Sequence, residues 1–225
     1  MAYTLIAHTQ KVNATIGSFT TSPIDTTGAD LIVVHVGCQN AVASITDNAG
    51  NSYTTAVSYQ NPNTSRSTIL YAWDVDTHTS HTFQVTVAGN YPTIQVSAYS
   101  GSLTTSDPLD QVSGYATTIQ QAMQPGAIVP AVANSLFVTG VDAGGNSVPY
   151  VIDSGFTILD QAYPDLSGSV TAHAYLVSPD TSSINPTWTM TPQLYYVDAC
   201  SMACFKPASV IPPSSNSHSS TFLVF

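Results

Sequence analysis

The sequence contains no glutamate; all thirteen acidic residues are aspartate, and the only basic side chains besides histidine are Lys11, Arg66 and Lys206. The best polar helix formers are therefore almost missing. Thr, Val, Ser, Tyr and Ile abound instead, and these suit a pleated, half-buried surface. A helical protein is excluded and an all-β one expected. The net charge of -10 excludes nucleic acid and anionic membrane surfaces as partners, because both need clustered Lys and Arg. No apolar run approaches the roughly 20 residues of a membrane-spanning helix. The opening, MAYTLIAHTQ, has no basic segment, apolar stretch or small-residue cleavage site. The expectation is a protein made and used without Sec export, the alternative being a leader already removed. Three cysteines, Cys38, Cys200 and Cys204, are too few for a disulfide framework. Four steps along one strand put Cys200 and Cys204 about 13 Å apart, too far for a bridge. Cys38 could reach one of them only if their strands adjoin, so three buried thiols are the simpler reading.

What is present is alternation punctuated by turns. LIVVHVGC reads as a nearly continuous apolar strand, and VASIT and SYTTAVSY flank DNAGN. In that turn Asp47 and Asn48 can bond their own backbone, and Gly50 can adopt a positive φ. STILYAWDV, HTFQVTVAG and TIQVSAYSG follow as strands. A second series then repeats the first at an offset of about 105 residues. ADLIVVHVG matches ANSLFVTGV, and SITDNAGNSYTTAVSY matches YVIDSGFTILDQAY. TILYAWDVD matches TAHAYLVSP, and HTFQVTVAGNYPTIQVSAYSG matches NPTWTMTPQLYYVDACSMACF. A single half would expose an apolar sheet face, whereas two halves packed together bury it. The expected fold is a two-sheet antiparallel sandwich, jelly-roll-like, of eight to ten strands. It spans residues 1–208, is built from two related halves, and is followed by a Pro/Ser-rich tether and arm over 209–225.

SITDNAGNSYT, STILYAWDV, VSAYSG, DPLDQ, SGFTILDQ and CFKPAS occur in an order that resembles a β-sandwich domain of unknown function. Domains of that kind are found in bacterial secreted multidomain proteins and in bacteriophage structural proteins. The resemblance covers roughly residues 28–208 and rests on turns and strand ends, so it implies a fold and no chemistry. Its pattern has a glutamate before YSG; Ala98 stands there in this chain.

Candidate sites are few. His78 and His81 lie near Asp74 and Asp76 in DVDTHTSHTF, where a loop metal site competes with a polar hairpin connection. His35 and His173 could form a histidine pair, as a pH switch or general base, or two hydrogen-bonded imidazoles on strands. No G-x-S-x-G marks a nucleophile. Asp74, Asp76, Asp107, Asp110 and Asp153 could be paired as glycosidase carboxylates, but most sit where turns favour aspartate. Residues 47–51 could offer oxygens to calcium but lack the spacing and the glutamate of a dedicated loop. Tyr71, Trp73 and Trp188 could stack on a sugar, with core packing the plainer use. The expectation is no enzymatic activity, no cofactor and no metal.

The chain closes on PPSSNSHSSTFLVF. Phe222, Leu223, Val224 and Phe225 are large apolar side chains on a polar tether, an aggregation hazard unless they are covered. The ten residues IPPSSNSHSS span up to about 30 Å when extended, enough to reach another subunit. These four residues are therefore the candidate assembly contact, as a strand added to a neighbour's sheet. The function so implied is structural: a bacteriophage virion component, such as a capsid decoration, fibre or tail protein. Its partners would be copies of itself or other virion proteins. The alternative is a secreted surface filament subunit or a carbohydrate-binding module, located outside the cell or on its surface.

Overall fold

A computed structural model describes residues 2–13, 16–39, 42–62, 65–120, 122–144, 149–162, 169–190 and 196–208. These hold sixteen strands and no helix. The first half contains β1 (Thr4–Val12), β2 (Gly17–Thr20), β3 (Leu31–Cys38), β4 (Val42–Asp47), β5 (Thr54–Gln60), β6 (Arg66–Trp73), β7 (Phe83–Val87) and β8 (Thr93–Ser100). The second contains β9 (Leu109–Gln120), β10 (Ala122–Met123), β11 (Leu136–Gly144), β12 (Tyr150–Ile152), β13 (Thr157–Ala162), β14 (Ser169–Val177), β15 (Trp188–Met190) and β16 (Tyr196–Phe205).

The first half forms a five-stranded sheet, β1-β8-β3-β6-β5, and a three-stranded sheet, β2-β7-β4. The second repeats the order strand for strand, as β9-β16-β11-β14-β13 and β10-β15-β12. All named pairings are antiparallel. The nested pairs β1–β8, β2–β7 and β3–β6 are those of a long hairpin rolled into a jelly roll. The sandwich of two related halves is thus present, on a finer plan than the expected eight to ten strands in two sheets. Each half closes its own sandwich, and the two five-stranded sheets then pack face to face. The layers run three, five, five, three.

This stacking explains the uninterrupted apolar run of β3. Ile32, Val34, Val36 and Cys38 enter the core of the first sandwich. Leu31 and Val33 face the other way, into the seam between halves. A strand buried on both faces loses the polar alternation of a half-exposed one. In the second half Phe137 and Val141 enter its own core, around Trp188, while Leu136 and Val138 meet the seam. Trp188 donates Nε1–H to Thr139 Oγ1 at 3.1 Å, so its one polar atom is satisfied in the core. Cys38 belongs to the first core, Cys200 and Cys204 to the second, and all three are free and buried. Burial pushes the Cys200 and Cys204 thiols up to about 12, so neither offers a thiolate at neutral pH.

The seam is isologous. β1 packs on β13 and β9 on β5, which are equivalent pairs under the duplication, and β3 faces β11. The crossing segment is fixed at one end of the seam. Asp30 accepts hydrogen bonds from Gly101 N and Ser102 N, both at 2.9 Å. Ser102 bridges Pro207, Tyr3 donates to the Lys206 carbonyl at 2.7 Å, and Ala208 N donates to Gly101 O at 2.8 Å.

Two glycines let the sheets approach. A Cβ on Gly140 would lie 2.2 Å from the His35 ring, and one on Gly37 would lie 2.3 Å from Thr171 and 3.0 Å from Asp142. The duplication aligns His35 with Gly140 and Gly37 with Asp142, so each bulky residue rests on the glycine at its partner's position. Gly140→Ala is expected to cost about 1–3 kcal/mol by overpacking, read as a lower urea midpoint at unchanged m-value.

Candidate functional site

Beyond its apolar end, the seam becomes polar. β3 supplies His35, β6 Ser67, β8 Gln95 and Ser97, β14 His173 and β16 Ser201, all fully buried. They alternate with core residues, so strand pleating alone sends them into the seam. Gln95 Nε2 donates to the Asp160 carbonyl at 3.2 Å, which turns its Oε1 toward His35 Nδ1 at 2.9 Å. The amide oxygen accepts, so Nδ1 carries the ring proton. Nε2 then accepts from the Ser67 hydroxyl at 2.9 Å, and Ser67 meets Ser201 Oγ at 2.6 Å. His173 Nε2 lies 3.1 Å from Ser97 Oγ, and its Nδ1 is buried without a partner. The two imidazoles sit edge to face, with centroids 6.1 Å apart.

Burial holds both rings neutral. Desolvation lowers His35 to about 4 despite the opposing bond to Gln95. Desolvation, then His35 and His8, push His173 well below the usual histidine range. At the rim, His8 Nδ1 is 3.1 Å from Asp160 Oδ2. Burial raises the Asp160 carboxyl, with His8 opposing. Asp142 completes the cluster by accepting from Arg66 N at 3.1 Å. The structure thus joins the two histidines named from sequence. They are not equivalent under the duplication, since His173 aligns with Ile69. The pair is walled off from solvent, and a general base needs access to substrate.

The other candidates separate. His81 leaves His78 and turns inward, stacking on Phe83 with centroids 4.4 Å apart. Its Nδ1 meets Thr26 Oγ1 at 2.8 Å, and its Nε2 lies 3.1 Å from Asp47 Oδ2, outside hydrogen-bonding geometry. Asp47 Oδ1 accepts from Ala49 N, Gly50 N and Asn51 N at 3.1, 2.6 and 3.0 Å. Its Oδ2 accepts from Asn51 Nδ2 at 2.8 Å and Tyr53 OH at 2.7 Å. Burial pushes this carboxyl up, but the bonds from Asn51 and Tyr53 and the nearby His81 outweigh it and hold it below the ordinary range. Its oxygens are occupied by the protein's own donors, and Gly50 has the expected positive φ, +86°. Thr26, His81 and Asp47 form a chain of hydroxyl, imidazole and carboxylate, but Thr26 is fully buried and also receives His78 N at 3.1 Å. The arrangement ties a turn to a strand.

His78 Nδ1 accepts from Ser80 N at 2.9 Å. Among the described residues no group of three or more His, Cys, Asp or Glu could hold a metal ion. Asp107 receives the Tyr71 hydroxyl at 2.8 and 3.0 Å, Asp110 receives Ala131 N at 2.8 Å and Asp153 receives Thr187 N at 2.7 Å. These carboxylates are turn and strap anchors: Asp107 just precedes β9, Asp110 lies in it, and Asp153 follows β12. Tyr71 and Trp73 pack in the seam. Phe222, Leu223, Val224 and Phe225 lie outside the described residues.

Two buried carboxylates, Asp142 and Asp198, were not singled out in sequence. Asp198, on the core side of β16, is 2 % exposed, its Oδ1 has no partner, and burial raises it to about 7. It also helps raise the Tyr150 hydroxyl, after burial itself.

No family model matches the chain, and neither a curated protein nor a solved structure matches it.

Two predictions follow from these charges. The folded-state values of His35 and His173 lie below the unfolded one, so below about pH 6.5 the unfolded chain binds protons that the folded chain does not. The contribution of both is therefore full above that pH and is lost as pH falls through their lowered values, which for His35 is about 4. Each contributes a slope of about 1.4 kcal/mol per pH unit across its window. Asp198 opposes them, because its raised value costs stability as pH rises from about 4 to about 7. His35→Gln should flatten the loss of stability between pH 6.5 and 4.5, and Asp198→Asn should steepen it and raise stability at pH 8; denaturant melts at each pH measure both. Separately, Asp47→Ala strands several donors at once and should cost at least about 1–3 kcal/mol, read in the same melts at pH 7.

Proposed function

We propose that the chain is a non-enzymatic structural module that works within an assembly, in the manner of a bacteriophage capsid decoration, fibre or tail component. The observation that supports this reading is the anchorage of residues 206–208. Lys206 N donates to the Pro108 carbonyl at 2.8 Å and Ala208 N to Gly101 O at 2.8 Å, and Pro207 bridges Ser102. The segment beyond residue 208 is thus launched from a fixed point beside the segment that joins the halves. A two-sandwich block whose paired histidines His35 and His173 are buried away from solvent suits a building element. The β-sandwich resemblance in the sequence fits the same reading.

In this proposal Phe222, Leu223, Val224 and Phe225 add as a strand to a sheet edge of another copy or of a second virion protein. Phe222 and Val224 would face one way, Leu223 and Phe225 the other. Whichever pair enters the neighbour's core contributes roughly 1.5–3 kcal/mol per side chain, and backbone hydrogen bonds set the register. The five-stranded sheets end in β1 and β5, and in β9 and β13, so each half has edges at which such a strand could pair.

Deleting residues 221–225 tests the proposal. Native mass spectrometry and light scattering should show a folded monomer that no longer assembles. Normal assembly of the truncated chain removes the arm as connector. Loss of folding in the truncated monomer assigns the strand to its own sandwich.

A further inference from the structure

The second sandwich carries an open groove of about 530 Å³ where its two sheets part, lined by Tyr115, Ala122, Gln124, Gly126, Asn185 and Thr187. Tyr115 reaches it from β9. It pairs with Cys200 of β16 and so points to the core side of the sheet, on its edge strand. Tyr115 is 42 % exposed, alongside Tyr59 on β5 at 39 %, whereas Tyr3, Tyr71, Tyr99 and Tyr150 are buried.

The floor is built rather than loose. Gln124 Nε2 donates to Thr187 Oγ1 at 3.0 Å, and Asn185 Oδ1 accepts from Gly126 N at 3.2 Å. The Ser113 hydroxyl donates to the Pro125 carbonyl at 2.5 Å, strapping the segment after β10 to β9. Gly126 has φ +102°, and a Cβ there would lie 2.5 Å from Ser113 Oγ, so a side chain at that position would break the strap.

The Thr187 hydroxyl is committed on both sides, accepting from Gln124 and bonding the Asp153 carboxylate. The Asn185 amide N–H groups remain as donors, the Gln124 Oε1 remains as an acceptor, and the Tyr115 hydroxyl can serve as either. No lining residue carries a charge. An exposed aromatic face beside a mixed set of neutral donors and acceptors matches a pyranose, which offers a face of C–H groups to the ring and an edge of adjacent hydroxyls to amides. A charged ligand would bring a desolvation cost that no lining side chain could offset, and a purely apolar one would strand the amides.

We propose that this groove is a binding site for a neutral oligosaccharide, with Tyr115 as the stacking platform and Gln124 and Asn185 as the hydroxyl-reading groups. None of these side chains belongs to the seam or to residues 221–225, so the proposal stands or falls separately from the assembly reading.

The test is a printed array of neutral glucans, xylans, mannans and galactans with sialylated and sulfated glycans beside them, probed with the full chain. Hits are then titrated by calorimetry and by NMR of the unmodified protein. At least one neutral glycan should bind, with shifts confined to residues 113–126 and 185–187. Tyr115→Ala should weaken it tenfold or more and Asn185→Ala several-fold, with Tyr115→Phe close to the parent and thermal midpoints unchanged. No neutral hit, binding to charged glycans alone, shifts elsewhere, or full affinity in Tyr115→Ala each overturns the proposal. If Tyr115→Ala misfolds, the NMR map of the unmodified protein decides alone.

Discussion

The contact of His35 with Gly140 is the constraint on which the seam depends. A buried imidazole needs two hydrogen-bond partners and a place for its ring. Gln95 and Ser67 provide the partners, and the missing side chain of Gly140 provides the place. The same exchange recurs with the roles reversed, Asp142 lying over Gly37. Because β3 and β11 are the central strands of their sheets, the spacing set there is transmitted through regular pairing to every strand on either side.

The duplication was legible because it is written in order. Strand pairs and turns recur at one offset, and structure preserves that offset strand by strand. The all-β class was equally plain from the absence of glutamate and the scarcity of lysine. What could not be read was the layering. A face-to-face pair of halves and a pair of complete sandwiches both require β3 to be apolar throughout. Only the count of short strands, such as β2 and β10 with their few residues, distinguishes them. Those segments carry too little pattern to be recognised alone.

The candidate sites show the same division. His35 stood out as the one polar residue in LIVVHVGC, and its burial follows from that run. Its neighbours, Gln95, Ser67 and Ser201, come from three other strands and are ordinary polar residues in ordinary alternation; no local signal marks them. His81 was noticed for its spacing from His78, yet its real partners are Thr26 and Asp47, distant in sequence. Spacing along a strand cannot anticipate contacts made across sheets. Tyr115 is the instructive miss. Nothing in VSGYA marks the strand it belongs to, the twelve-residue β9, or the exposure of its aromatic at a sheet edge.

The two ends of the seam divide the work. Leu31, Val33, Leu136, Val138, Tyr71 and Phe205 remove apolar surface from water, which drives the sheets together but tolerates many relative positions. The polar end tolerates few. Sliding β3 along β11 by one pleat repeat, about 7 Å, would carry His35 from Gly140 onto Val138 or Asp142. Its ring would then meet a side chain, and both its nitrogens would lose partners that other strands hold in place. An unpaired buried imidazole nitrogen costs on the order of 1–3 kcal/mol, and the clash adds to that. The alternative packings are therefore penalised at His35 twice over, while the native one gives both its nitrogens partners. Buried polar groups here do little to raise the depth of the native state and much to separate it from its neighbours, which is what a rigid block joined across two duplicated halves requires.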